Sequence, residues 1–271
     1  MNRLSVVALA LVCGLYAAGT AVADEALPAG DAVLIPAVAD ARSTEMKQRT
    51  KLPKAAKAAI ERAKQFKVAV RRPPEPSGET LVLLHGSGGD ETTLMPLAER
   101  IAPHAVLIGI AGRVTQDGTK RWYERITPTS FVQSDIRAEA QAFADFLANA
   151  VKKGEIDLAR TTFLGYSNGA NLLAAVSLLH PGMVRRAALL RPMPVLEQPP
   201  SSDLAKARFL TVIGAGDTTY APFGPTLSEM LRGFGADVET QVVKSGHGLG
   251  DEDVKVVSDW LAETHTVSMN Q

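Results

Sequence analysis

The chain has 271 residues, 46% of them hydrophobic and 21% charged, with a formal net charge of zero. That length supports one substantial apolar core, and the balanced charge creates no field that would select nucleic acid or an anionic membrane as partner. Its single cysteine, Cys13, excludes an intramolecular disulfide and a thiolate metal cluster.

Residues 1–23 read as a secretory signal peptide. Asn2 and Arg3 open it, residues 4–18 form an apolar stretch too short to span a bilayer comfortably, and Ala21-Val22-Ala23 is a small-x-small cleavage site. Cleavage before Asp24 leaves a mature chain without cysteine, which suits a periplasmic or secreted protein. Residues 24–79 read as a basic, Pro-containing extension. Within it, residues 46–72 hold ten Lys or Arg and one Glu. Ala56, Ala59, Ile60, Ala63 and Phe66 recur at helical spacing, with Lys54, Lys57, Arg62, Lys64 and Lys67 on the other faces. This predicts a solvated basic helix against the main domain, with contact to an anionic partner as the sharper reading. Pro73, Pro74 and Pro76 end the pattern.

Residues 80–271 are expected to form the main domain. Apolar runs of strand length fall at 81–84, 105–110, 161–164, 187–190 and 209–213, and a more alternating, edge-like strand at 236–243. Helical stretches lie between or after them at 94–101, 134–151, 170–180, 226–234 and 252–263. Short apolar runs alternating with helices predict an α/β fold: a mostly parallel, doubly wound sheet flanked by helices. In such sheets ligands bind beyond the carboxyl ends of the strands, so the residues at those ends carry the functional reading.

The first run ends in His85-Gly86-Ser87-Gly88-Gly89-Asp90-Glu91, a glycine-rich loop able to aim backbone N–H groups at one point. The third ends in Gly165-Tyr166-Ser167-Asn168-Gly169, where a tight strand-to-helix turn would lift the Ser167 hydroxyl clear of the sheet. The fifth ends in Gly214-Ala215-Gly216-Asp217, and the last in Ser245-Gly246-His247-Gly248. Ser167, Asp217 and His247 therefore follow the chain order of a hydrolase triad: nucleophile, orienting carboxylate, base. Asp90 and Asp117 read as turn residues, His85 as a residue shaping its own loop, and no histidine pair has the H-E-x-x-H spacing of a metal site. Between the second run and the long helix, Trp122, Tyr123, Ile126 and Phe131 are candidate pocket residues, joined by Met193, Pro194 and Tyr220 at other strand ends. Arg121 and Arg125 could orient an anionic substrate or merely sit in solvent, and solvent is the favoured reading.

The four strand-end motifs, together with Leu190-Arg191-Pro192-Met193, resemble the phospholipase/carboxylesterase group of α/β-hydrolases, which includes acyl-protein thioesterase-like enzymes. The resemblance spans about residues 80–263. It implies a compact α/β-hydrolase fold with no large cap domain, cleaving carboxylic esters or thioesters with no cofactor. It also implies that the oxyanion donors are the Ser87 and Asn168 amides, with Gly86 and Gly88 permitting close approach. The extension is atypical of the group, and Asp217-Thr218-Thr219-Tyr220 replaces its usual D-x-x-V-P continuation. The expected function is a serine carboxylesterase acting on a small-molecule ester. Thioester, lactone or peptide cleavage, or a non-catalytic binding protein on the same scaffold, are the alternatives. Trp122, Tyr123, Met193 and Tyr220 are the expected substrate-binding residues. Nucleic acid and a stable membrane span are not expected, and a homodimer is left open.

Overall fold

A computed structural model describes residues 66–268. The expected signal peptide and most of the basic extension lie outside the described residues.

Seven strands form the central sheet: β1 (Lys67–Arg71), β2 (Thr80–Leu84), β3 (Val106–Ala111), β8 (Thr161–Tyr166), β9 (Arg186–Leu190), β10 (Arg208–Gly214) and β11 (Asp237–Val243), in the order β1-β3-β2-β8-β9-β10-β11. All run parallel except β1, which pairs antiparallel with β3 at one edge. Four short strands fill the connection after β3: β4 (Val114–Gln116) pairs with β5 (Thr119–Arg121), and β6 (Arg125–Thr127) with β7 (Ser130–Phe131). The β4–β5 turn is Asp117-Gly118, both at positive φ, the pairing that a two-residue hairpin favours.

Among the described residues the helices are α1 (Met95–Ile101), α2 (Gln133–Lys152), α3 (Asn168–Leu179), α4 (Phe223–Gly233) and α5 (Asp251–Ser268). They cover both faces, which is why the inner strands read as unbroken apolar runs rather than alternating ones. On β2, Val82 and Leu84 join a core layer with Leu172 and Val176 of α3, Phe143 of α2 and Leu227 of α4. Leu81 and Leu83 point the other way, toward Ala98 of α1 and Val257 and Trp260 of α5. Each such fully buried side chain contributes roughly 1.5–3 kcal/mol of transfer free energy. Helix α3 is buried along nearly its whole length, so its Ala/Leu composition reflects burial all round and not one apolar stripe.

The central sheet takes in residues before 80. Lys67–Arg71, expected to continue a basic helix, is a strand: Val68 pairs with Ile110 and Val70 with Ile108. Phe66, expected on that helix, instead packs its ring against Trp122, Phe143 and Phe146. A residue with that much apolar surface nucleates against the core, and the alternating segment after it supplies the hydrogen bonds that β3 lacks on its free side.

Candidate active site

Register brings the strand ends to one edge. Leu84 of β2 pairs with Gly165 of β8, Tyr166 of β8 with Leu190 of β9, Leu190 with Val212 of β10, and Gly214 of β10 with Val243 of β11. The loops that follow these residues share one rim of the sheet.

Ser167 stands between β8 and α3 with φ 50° and ψ −113°, a region that side chains other than glycine rarely occupy. The strain is held from both sides. Its N–H donates to the Leu190 carbonyl at 2.8 Å, and its carbonyl accepts from Asn171 of α3 at 3.0 Å. Small neighbours make the turn feasible: a Cβ on Gly165 would lie 2.7 Å from the Ala170 backbone, and one on Gly169 would lie 2.4 Å from the Leu84 carbonyl oxygen. The start of α3 is thereby pressed against the end of β2 and its glycine loop.

Two further predicted residues converge on this hydroxyl. His247 Nε2 lies 3.0 Å from Ser167 Oγ, and its Nδ1 lies 2.5 Å from Asp217 Oδ2. Asp217 is buried, and its other carboxylate oxygen accepts from the Tyr220 amide at 3.0 Å. With the carboxylate ionised, Nδ1 carries the hydrogen and Nε2 is left as the acceptor that faces the serine. The Thr218-Thr219 departure from the expected motif closes a tight turn that returns the Tyr220 ring to 4.8 Å from the imidazole. Tyr166 donates its hydroxyl to the His247 carbonyl at 3.1 Å.

What holds the His247 loop was not read from the sequence. Arg191, directly after β9, is buried and forms a two-pronged ion pair with Asp253 of α5, at 2.8 and 3.0 Å. Its remaining donors grip the loop itself: Nε reaches the Gly246 carbonyl at 2.8 Å, and Nη2 reaches Ser245 Oγ at 2.8 Å and the Gly248 carbonyl at 3.0 Å. Asp253 also accepts from the Gly250 amide at 2.8 Å. A charged residue directly following an apolar strand and preceding a proline was the available signal. Its partner, 62 residues away, was not deducible.

The glycine-rich loop approaches from β2. Among the described residues, the Ser87 and Asn168 amides donate to no backbone carbonyl. The Asn168 side chain is committed elsewhere, accepting from the Trp122 amide at 2.7 Å, which ties α3 to the hairpin region. Asp90 accepts from Thr92 and Thr93, which hold its carboxyl down to about 2, in keeping with a turn residue. His85 is buried beneath the loop. The Gly112 amide can only donate, so His85 Nε2 accepts from it at 2.9 Å and Nδ1–H donates to the Gly86 carbonyl at 2.6 Å. Burial lowers the His85 pKa below its ordinary 6.5 and keeps the ring neutral. The unfolded chain takes up this proton near pH 6.5 while the folded protein resists it, so stability falls as pH drops below that value. His85→Gln should therefore show a shallower loss of unfolding free energy between pH 7 and pH 5 than the parent, measured by urea titration at each pH.

A cleft of about 360 Å3, counting its open mouth, lies over Ser167. Ser87, Asn168, Tyr123, Phe131, Met193 and Tyr220 are among its walls, so three of the four predicted substrate residues reach it. Trp122 does not. It is fully buried, packs edge-on against Phe143, and donates its indole N–H to the His85 carbonyl at 2.9 Å, so it supports the glycine loop from behind. Ile126 is exposed on the outer hairpin. Arg121, assigned to solvent, is buried in the cleft wall, where Nη1 donates to Ser87 Oγ at 2.9 Å.

Comparison with known proteins agrees with this architecture. The profile of the phospholipase/carboxylesterase family matches residues 66–265. MhqD of Bacillus subtilis (strain 168) is 30% identical over 192 residues, covering 69% of this chain and 94% of its own. A carboxylesterase from Mesorhizobium loti superposes with TM-score 0.70 at 52% identity, over 73% of this chain and 94% of that one. The Bacillus cereus carboxylesterase superposes with TM-score 0.69 at 26% identity, over 74% and 95% of the respective chains.

Proposed function

The chain belongs to the phospholipase/carboxylesterase family and is a hydrolase of the α/β-hydrolase fold, and from that premise we propose that it is a serine carboxylesterase working through Ser167, His247 and Asp217. The observation that carries the reading is the His247 ring, within hydrogen-bond reach of Ser167 Oγ on one side and Asp217 on the other. His247 Nε2 takes the Ser167 proton as Oγ attacks the ester carbonyl, and Asp217 stabilises the imidazolium that forms. The carbonyl oxygen, now negative, accepts from the Ser87 and Asn168 amides, the second of which begins α3 and adds its dipole. Collapse of the tetrahedral intermediate expels the alcohol, which takes the proton from His247. Water, deprotonated by the same imidazole, then attacks the acyl-enzyme, and the acid leaves as Ser167 recovers its proton. Export from the cytoplasm belongs to the same reading and rests on the signal-peptide pattern of residues 1–23.

A fluorophosphonate probe tests the assignment. One equivalent should add to Ser167, located by peptide mass analysis, with parallel loss of chromogenic-ester turnover. Absence of labelling in folded protein, or labelling that persists in Ser167→Ala, would overturn it.

A further inference from the structure

Among the described residues, the guanidinium groups of Arg113 and Arg191 are shielded from solvent and neutralised. Arg113 is paired with Glu139 at 2.9 Å, and Arg191 with Asp253. Among the described residues Arg121 has no such partner. It is 6% exposed, no carboxylate of those residues lies within ion-pair distance, the one side-chain acceptor they give it is the neutral Ser87 hydroxyl, and none of their atoms accepts from its buried Nε. Desolvation lowers the Arg121 pKa from its ordinary value, and the neighbouring Arg125 charge adds to this. Arg125 also lines the cleft, half-buried, and no Asp or Glu does. A guanidinium shielded from water is costly unless an anion meets it, and its planar fork of donors matches a carboxylate or phosphate oxygen pair. Its backbone explains why it cannot turn away: Arg121 pairs with Val114 in the β4–β5 hairpin, which is in turn anchored by the Gly88 amide donating to Lys120 at 2.8 Å.

We propose that the cleft selects esters bearing an anionic group, a carboxylate foremost, which Arg121 binds with support from Arg125. The inference rests on the serine-hydrolase reading of the same cleft and deepens it. A purely positioning role, in which Arg121 only fixes the Ser87 loop, would affect all esters alike; an anion site changes their ranking.

The test uses two matched pairs of esters. Monophenyl succinate against phenyl butyrate places the charge on the acyl side, and 4-acetoxybenzoate against methyl 4-acetoxybenzoate places it on the leaving group. The wild-type protein should favour the anionic member of at least one pair by tenfold or more in kcat/KM. Arg121→Gln should cut that ratio by about 10- to 150-fold, the range set by losing a charge-assisted contact. Any loss shared by both members of a pair reports the Ser87 contact. Neutral esters preferred in both pairs by the wild-type protein, or a ratio that Arg121→Gln leaves in place, would overturn the proposal. Should no ester be hydrolysed, the hydrolase reading fails separately. Calorimetric titration with monomethyl succinate then decides the anion site: binding lost in Arg121→Gln supports it, and no binding to the wild-type protein overturns it.

Discussion

Asp217→Asn is expected to lower kcat about ten-thousand-fold while leaving the melting temperature within a few degrees of the parent. The asymmetry comes from how the carboxylate is held. One oxygen accepts the Tyr220 amide and the other faces His247 Nδ1. An asparagine keeps the first contact by placing its carbonyl oxygen there, which turns its NH2 toward the imidazole. Nδ1 must then become the acceptor, so the ring hydrogen moves to Nε2, the nitrogen that faces Ser167 Oγ. The base now presents a hydrogen where it must accept one. Steady-state kinetics on a chromogenic ester, beside thermal unfolding of the same sample, checks both halves. A loss below about tenfold would remove Asp217 from the mechanism.

Arg191→Met is expected to destabilise the fold by about 3–5 kcal/mol, because it strands the Asp253 carboxylate in a site with no exposure to solvent. For a domain of this size that corresponds to roughly 10 °C in Tm. The variant should also lose activity at temperatures where it remains folded, since the guanidinium holds Ser245, Gly246 and Gly248 around His247. Arg191→Lys should rescue little, because an ammonium cannot reproduce the fork that serves Asp253 and three loop atoms together. Adding Asp253→Asn to Arg191→Met should recover part of the stability by removing the stranded charge, but not the activity. Denaturant titration of the single and double variants separates these effects. Equal stability of Arg191→Met and the parent would show that the pair contributes nothing net.

Much of this was legible in the sequence for one reason: strands covered on both faces must be apolar throughout, so the core of the sheet announced itself as short runs. The residues after those runs, Ser167, Asp217 and His247, stood out because polar groups flanked by glycine are unusual there, and the structure brings all three within hydrogen-bond distance. What escaped reading depended on context. Lys67–Arg71 lies at an edge, where charged and apolar residues alternate, and a basic run before it suggested helix instead. Arg121 and Trp122 are neighbours whose expected places were exchanged, the arginine buried in the cleft wall and the tryptophan behind it. Charge predicts exposure and aromatics predict pockets only on average. The fold of the hairpins decided otherwise, by tying Trp122 to Asn168 and His85.

Ser167 and Arg191 share a backbone feature: both have positive φ, near 50°, and they follow adjacent strands. Each is a position where glycine would relieve roughly 1–3 kcal/mol of local strain. A search for hardier variants that scored only heat resistance would be drawn to these two sites, and would discard there the proposed nucleophile and the clamp on its base. Robustness and activity pull in opposite directions on this rim, so thermostabilising work on the enzyme belongs on the far helices and the loop tips.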